Sequence, residues 1–523
     1  MSCSKIFSGD FPELTYEIIK YFQNDFLTLH SCILVNRLWC RLATPLLWEN
    51  PFSIRTENYN YIEIYLQYLN DDFKAKLKEY NIIINSLPSN TLFNYSSFLK
   101  YLNIYKFISS VINWLEAANE TSIYSDFIRL TSDICLSLVK LFIENEVNLD
   151  VLEIDFKYTP YKINLDDILE LILQNTNFIH NIRNLNLYIV ENKELKHRIL
   201  PIIELHQNLK KILLDNSFFS YQSLLLSKDY NCSNTLSTII FFYVDFEGII
   251  NLNRIFEQLN VLESVHIIHC SSLNTSFTQQ IINLTKPFKL KSLFIENIEE
   301  LSEIESLQLL IQKSCDYLEN FGYDCGLIYP HELNTGIPQG IHQLLDLIMI
   351  HCKNIKFLDL DINDNRIIFP ALNLIENIKH NLNYLSIDIY DNIKENNSFV
   401  IQRLGEIIPF KLEYLHLYLY YIEACDFEVF LKSSQDTFIK KLLINNFNFT
   451  EGQDILPSIK TYIMKKRRVK YLAINGAFFR SEFVSDELFS LKDEVKEFML
   501  YDIKVQSYHD SIINLYDYMK EVN

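Results

Sequence analysis

The chain has 523 residues, 49% of them hydrophobic and 22% charged, a balance that excludes a disordered polymer and leaves ample apolar material for a large core. A formal charge of −19 argues against a polyanion partner such as nucleic acid, which needs a basic surface. Only 9 glycines occur, and no GxGxxG, GxxxxGK[ST] or GxSxG pattern is present, which removes glycine-rich phosphate cradles and the nucleophile elbow from consideration. The ten cysteines include no CxxC pair, so neither a zinc site, a thioredoxin-type site nor a dense disulfide scaffold is indicated. Met1 to Asp10 lacks an apolar h-region, and the most apolar stretch, Leu236 to Phe246, is too short to span a bilayer. A reducing compartment, cytoplasmic or nuclear, is expected, with no membrane and no nucleic-acid partner.

The first elements, over residues 7–52, are helical. Asp10-Phe11-Pro12-Glu13 places an acidic cap before a helix carrying Leu14, Ile18, Ile19 and Phe22. Asn24-Asp25 breaks it and caps a second helix, Phe26 to Leu34. Asn36 caps a third with Leu38, Trp39 and Leu42, and Pro51 closes the segment. Three helices this short bury little surface alone and tend to need a partner.

Residues 53–145 read as an irregular connection with atypical first repeats. Over 146–523 a periodic signal takes over. The template L-x-x-L-x-L, with other apolar residues allowed, begins at Leu149/Leu152/Ile154. It recurs at Ile182, Leu209, Leu236, Leu262, Leu290, Leu318, Ile355, Leu382, Leu412, Ile439, Val469 and Val495, in steps of 26 to 37 residues; a weaker copy is Leu99/Leu102/Ile104. The last two apolar positions lie two apart, as on one face of a strand. Helical patterns such as Ile341 to Ile348 fall between copies. One strand with one helix cannot bury its own apolar face, so the units must stack into a parallel α/β solenoid, strands on the concave side and helices on the convex side. The long step from Leu318 to Ile355 holds Gly322, Gly326, Gly336, Gly340, Pro330 and Pro338 and reads as a loop insertion.

Two resemblances attach to these residues. The repeats resemble the leucine-rich-repeat family in its long helical subtype, over about residues 80–523, although the family's Asn or Cys beyond the strand appears only as Cys270 and Asn363. The N-terminal run Phe11-Pro12-Glu13-Leu14, Ile18, Asp25, Leu29, Cys32, Val35-Asn36-Arg37-x-Trp39, Pro45, Leu47-Trp48 resembles the F-box motif, with Phe11 where that family usually has Leu. The whole chain is similar to the large F-box families of fungi. The resemblance implies a non-catalytic subunit of a cullin–RING ubiquitin ligase, docking a Skp-type adaptor through the motif and selecting a protein substrate with the solenoid. The contact candidates it implies are Phe11, Pro12, Ile18, Leu29, Leu34, Val35 and Trp39, some of which must instead hold the helices together. The alternative is a leucine-rich-repeat scaffold with no ubiquitin link, its N-terminal helices acting only as a cap.

No nucleophile–base pair, metal-ligand spacing or cofactor motif is visible. His266, His269 and Cys270 form the tightest His/Cys group; strand alternation points the two histidines oppositely, with His266 on the open face, and the group reads as a surface histidine beside a packed cysteine. Lys465-Lys466-Arg467-Arg468 reads as a solvated loop, with nuclear import as the alternative. The repeat register points Glu296, Asp324, Asp361 and Asp388 to the concave face on successive strands, beside Phe357, Tyr384 and Tyr414. Acidic and aromatic stripes side by side suit a basic segment of a protein substrate, through Coulomb attraction and cation–π contact.

Overall fold

The structure, a computed structural model, describes residues 11–23, 25–54, 59–80, 82, 92–118, 124–155, 165–188, 196–205, 208–215, 232–296, 298, 300–325, 336–362, 364–390, 393–446, 454–476 and 487–521. The chain divides into two compact units, Met1–Ser237 and Thr238–Asn523.

The first unit opens with α1 (Pro12–Lys20), α2 (Phe26–Ile33) and α3 (Arg37–Trp48). Their starts are set by local chemistry. Asp25 accepts the Thr28 amide at 3.1 Å and Asn36 accepts the Trp39 amide at 3.0 Å, which satisfies donors that have no partner inside the helix. Asp10, the cap expected for α1, lies outside the described residues. Phe11 holds that position without a side-chain bond, and Pro12 takes a first-turn place where its missing N–H costs nothing. Ile19, Leu29, Cys32, Trp39, Ala43 and Leu46 form the core of the three helices.

The end of α3 is joined directly to the repeats. The Glu49 carbonyl accepts the Lys100 and Tyr101 amides at 2.9 and 3.0 Å. The same double acceptance recurs down the array: the Lys100 carbonyl takes the Asp150 and Val151 amides, that of Asp150 takes Arg183 and Asn184, and that of Arg183 takes Lys210 and Lys211. Glu49 therefore stands where a preceding repeat would supply its pre-strand carbonyl. Around it Trp48 meets Tyr65 edge-on at 5.4 Å, and Phe52 packs among Tyr65, Phe107 and Phe142. The stretch expected to be irregular is mostly helical, with Tyr61–Leu66, Asp71–Glu79, Ile104–Ala118 and Tyr124–Glu144.

Strands β1 (Tyr101–Asn103), β2 (Val151–Asp155), β3 (Asn184–Tyr188) and β4 (Lys211–Leu214) of the first unit pair in parallel in chain order. The weak copy at Leu99 is thus the first strand. In the second unit β5 (Thr238–Phe242), β6 (Ser264–Ile268), β7 (Leu290–Glu296), β8 (Asn320–Asp324), β9 (Phe357–Ile362), β10 (Tyr384–Ile389), β11 (Lys411–Leu419), β12 (Phe438–Asn446), β13 (Val469–Asn475) and β14 (Lys504–Val505) do the same. All fourteen strands are parallel and follow chain order, a solenoid-like α/β fold.

Strand and helix share one core because their periodicities agree. Leu358, Leu360, Leu385 and Ile387 leave one face of β9 and β10, all at most 1% exposed. Helix Asn365–Ile378 answers with Ile367, Ile368, Ala371, Leu374, Ile375 and Ile378, the spacing of a single helical face. Burying each Leu or Ile side chain contributes about 1.5–3 kcal/mol. No helix among the described residues is long and apolar enough to cross a membrane.

Three expectations are corrected. The last template, Val495/Phe498/Leu500, is helix Lys492–Met499, with Leu500 exposed; the strand comes later, at Lys504–Val505, where Ile503 and Val505 are buried. Asp493 and Glu494 in the first turn and Lys496 in the last suit a helix dipole, and only Phe498 needs cover. The glycine-rich insertion is no loop where it is described: Gly322 lies in β8 and Gly340 in helix Gly336–His351, while Gly326 and Pro330 fall outside the described residues. A Cβ on Gly322 would overlap the Phe294 ring, and one on Gly340 would overlap Ile304, so both glycines permit close packing. Arg468 is buried, not solvated. It donates to the carbonyls of Thr437 at 3.0 Å, Leu431 at 3.1 Å and Ser434, gathering carbonyls at and just beyond the end of helix Ala424–Ser433, whereas Lys465, Lys466 and Arg467 are exposed.

Candidate functional site

The sheet face opposite the helices carries the chemistry of the second unit. Strand register sets it in rungs. Asn320, Phe357, Tyr384, Tyr414, Lys441 and Tyr471 lie across from one another on β8 to β13. The next rung on the same face holds Gly322, Asp359, Ser386, His416, Leu443 and Ala473. A third pairs Glu296 with Asp324, and Asp361 with Asp388, Tyr418, Asn445 and Asn475. Each acidic and aromatic residue singled out from the sequence therefore falls on this one face.

The acids are not four free carboxylates. Burial, together with the neighbouring Asp324, pushes the Asp361 carboxyl up to about 9, so it holds a proton at neutral pH and bonds Asp324. The Cys325 thiol donates to Asp361 Oδ1 at 3.1 Å. Burial and the charge of Asp388 push Asp359 up to about 7. Asp388 Oδ1 lies 3.2 Å from His416 Nδ1, and Glu296 Oε2 lies 3.2 Å from His269 Nδ1. Burial lowers His269 and raises Glu296, so that contact meets a neutral imidazole at neutral pH. The negative charge offered to a basic partner is thus smaller than the residue count implies. Among the described residues, Asp324, Cys325 and Asp361 place their ligand atoms within 4.8 Å of one another and could hold a metal ion, but burial keeps the thiol and the Asp361 carboxyl protonated, the forms in which neither ligates.

The aromatic rung is covered. Phe357 and Tyr414 are buried, and what lies over them is the segment that follows β14. After β14 the backbone turns across the face. The Tyr508 hydroxyl meets His416 Nε2 at 2.6 Å, and the Ile513 amide donates to the Tyr414 hydroxyl at 3.4 Å. Tyr508 packs with Tyr414, Leu443 and Ala473 into a second small core on this side of the sheet. In helix Leu515–Glu521, Tyr518 lies 5.0 Å from the Phe357 ring and 5.7 Å from Tyr384, and Tyr516 lies 5.3 Å from Phe242. The repeat pattern does not show this segment; its only mark in the sequence is the tyrosine run Tyr508, Tyr516, Tyr518 beyond the last strand.

His266 also departs from expectation. It is fully buried, its Nδ1 2.7 Å from Ser292 Oγ, which also accepts from Asn320 at 2.7 Å. Cys270 is packed as expected, taking the Val244 amide on its sulfur at 3.4 Å, and Asn363 lies outside the described residues. A polar cavity of about 590 Å³ opens at the start of β11 among Lys379, His380, Glu406, Lys411, Glu413 and Asp436, where charges of both signs mingle without converging.

The N-terminal helices form a different surface. Of the adaptor candidates, Leu29 and Trp39 sit in the three-helix core and have no surface to offer a partner. Phe11 is half-buried, while Pro12, Ile18, Leu34 and Val35 are exposed. The exposed set includes residues not singled out from the sequence: Leu14 and Tyr21 share a helical face with Ile18, and Leu27 lies seven residues before Leu34. Tyr21, Leu27 and Leu34 are 89, 81 and 75% exposed. On α1 it is Thr15 and Ile19 that face inward.

No model of a known protein family matches this chain. No curated protein matches it at a significant level of similarity either.

Proposed function

We propose that the chain is the substrate-recognition adaptor of a cullin–RING ubiquitin ligase, an F-box segment docking a Skp-type adaptor and a leucine-rich-repeat solenoid binding a protein substrate, in the cytoplasm or nucleus. One observation supports this best. Three short helices with a closed core of their own leave Leu14, Ile18, Tyr21, Leu27, Leu34 and Val35 in solvent. A cluster of large apolar side chains on so small a unit marks a protein interface. The order of residues that resembles the F-box supplies the identity of the partner. On this reading the chain carries no transfer chemistry, and the acidic and aromatic sheet face meets substrate.

The scaffold reading, without a ubiquitin link, draws support from Glu49, whose carbonyl ties α3 to the first strand and makes the helices a structural cap. Capping and docking use different sides of the same helices, so the exposed side decides. Full-length chain carrying Pro12→Ala, Leu27→Ala and Leu34→Ala should keep its melting temperature, because all three side chains are solvent-exposed. Losing central apolar anchors typically costs about 2 kcal/mol or more, roughly thirtyfold in affinity for a Skp-type adaptor. Unchanged affinity by calorimetry would sink the adaptor reading and leave the scaffold.

A further inference from the structure

The candidate partner face is already occupied by the chain itself. Residues 506–521 run from β14 back across the sheet, and their side chains fill the rung that a partner would use. Tyr508 takes the His416 Nε2 position at 2.6 Å, Tyr518 lies over Phe357 and Tyr384, and Tyr516 lies over Phe242. Met519 is fully buried.

Several features distinguish this strap from an ordinary core element. At the sheet edge it is held by β14, which pairs with β13 at only Tyr471↔Lys504 and Leu472↔Val505, and by the Gln506 amide on the Leu472 carbonyl. Its helix has seven residues, too few to hold together in water without the surface beneath it. The main core lies on the opposite face, between strands and helices, where Leu358, Leu385 and Leu415 are fully buried. The strap's side-chain polar contacts, among them the Tyr508 hydroxyl on His416, the Tyr508 amide on Glu487 and the Ile513 amide on the Tyr414 hydroxyl, are ones that water or another chain can replace.

We propose that residues 506–521 are a resident, displaceable occupant of the partner-binding face, and that a partner gains Phe357, Tyr384 and Tyr414 only by substituting aromatic side chains of its own segment for Tyr508, Tyr516 and Tyr518. The partner is therefore a polypeptide segment rich in aromatic residues, not only a basic one. A tethered strap acts at an effective concentration of about millimolar, and the affinity seen by a partner is lowered by the fraction of time the face is open. This rests on the reading of the sheet face as a partner surface.

The test uses full-length chain, wild type and Tyr516→Ala/Tyr518→Ala/Met519→Ala, with a fluorescent peptide of residues 506–523 as probe. Two quantities are measured: amide hydrogen exchange and peptide affinity. The expected result is that in the variant exchange over residues 506–521 rises at least tenfold while β9 to β11 stay protected, and that the variant takes the peptide at least tenfold more tightly than wild type. Loss of protection in β9 to β11 together with the strap would show a piece of the core and overturn the proposal. Unchanged strap exchange, equal peptide affinity, or no capture by the variant up to about 1 mM, the tethered concentration, would overturn it equally. Neither readout involves an adaptor or a ligase substrate, so failure here leaves the adaptor calorimetry to judge the function on its own.

Discussion

Replacing Asp361 by Asn should stabilise the second unit, and by an amount that grows with pH. The carboxyl ionises near its ordinary value of 3.8 in an unfolded chain, but burial and Asp324 push it up to about 9 in the fold. With the folded value raised, the group's contribution is fully present below about pH 4 and is lost as pH rises to about 9. At pH 7 the fold holds a proton that the unfolded chain has released across about three pH units, a penalty of about 4 kcal/mol at roughly 1.4 kcal/mol per unit. Asn keeps the shape and donates to Asp324 as the protonated acid does, but burying an amide costs about 1–2 kcal/mol in its place. The net gain is then about 3 kcal/mol at pH 7, near zero at pH 5, and about 4 kcal/mol at pH 8. For a unit of this size roughly 2 °C of melting temperature accompanies each kcal/mol. Calorimetric melts of full-length wild type and Asp361→Asn from pH 5 to pH 8 should therefore diverge. Parallel curves, or a variant that melts lower at pH 8, would show that Asp361 is ionised in the fold and that the acidic rung carries its full charge.

Two further outcomes follow from packing. Arg468→Met leaves the carbonyls of Leu431, Thr437 and Ser434 buried without a donor; at about 1–3 kcal/mol for an unsatisfied buried group, the second unit should lose at least about 3 kcal/mol, and Arg468→Lys, lacking the planar fork, should not restore it. Gly322→Ala forces a methyl into the Phe294 ring and should cost about 1–3 kcal/mol as overpacking does, with Phe294→Ala in the same chain relieving most of it in a double-mutant melt; additive losses would mean the ring is not the obstacle.

The strands were legible because a repeat writes the same apolar triplet each time. Leu358 and Leu360 must face the helices, and the residues between them must not. Where that triplet also fits a helix, the pattern misleads. Val495 and Phe498 are three apart, a helical step, and the charges around them settle the matter in favour of a helix. Gly322 misled for another reason: its role is set by Phe294 on the neighbouring strand, which local sequence does not report. The acidic and aromatic rungs could be read from register alone, and they lie where register puts them. Their state could not. The proton on Asp361, the imidazoles beside Asp388 and Glu296, and the cover over Phe357 and Tyr414 all arise from residues distant in sequence. His416 and Tyr508, 92 positions apart, meet only because the chain doubles back.

The carbonyl of Glu49 has a bearing on how the N-terminal helices can be studied. A parallel sheet ends in strands whose unused amides and carbonyls invite another chain to add itself. At the β14 end the invitation is weak, since that strand is two residues long and carries an exposed lysine, Lys504. At the β1 end it is withdrawn, because the Lys100 and Tyr101 amides are already spent on Glu49. Cutting away residues 1–50 would reopen that edge and strip the aromatic cover over Tyr65 that Trp48 provides. Such a fragment is exposed to strand-to-strand self-association, and its failure to bind anything would say little about docking. Single side chains on the solvent side of α1 and α2 are the cleaner instrument, since they change what a partner meets while the sheet keeps its first hydrogen bonds.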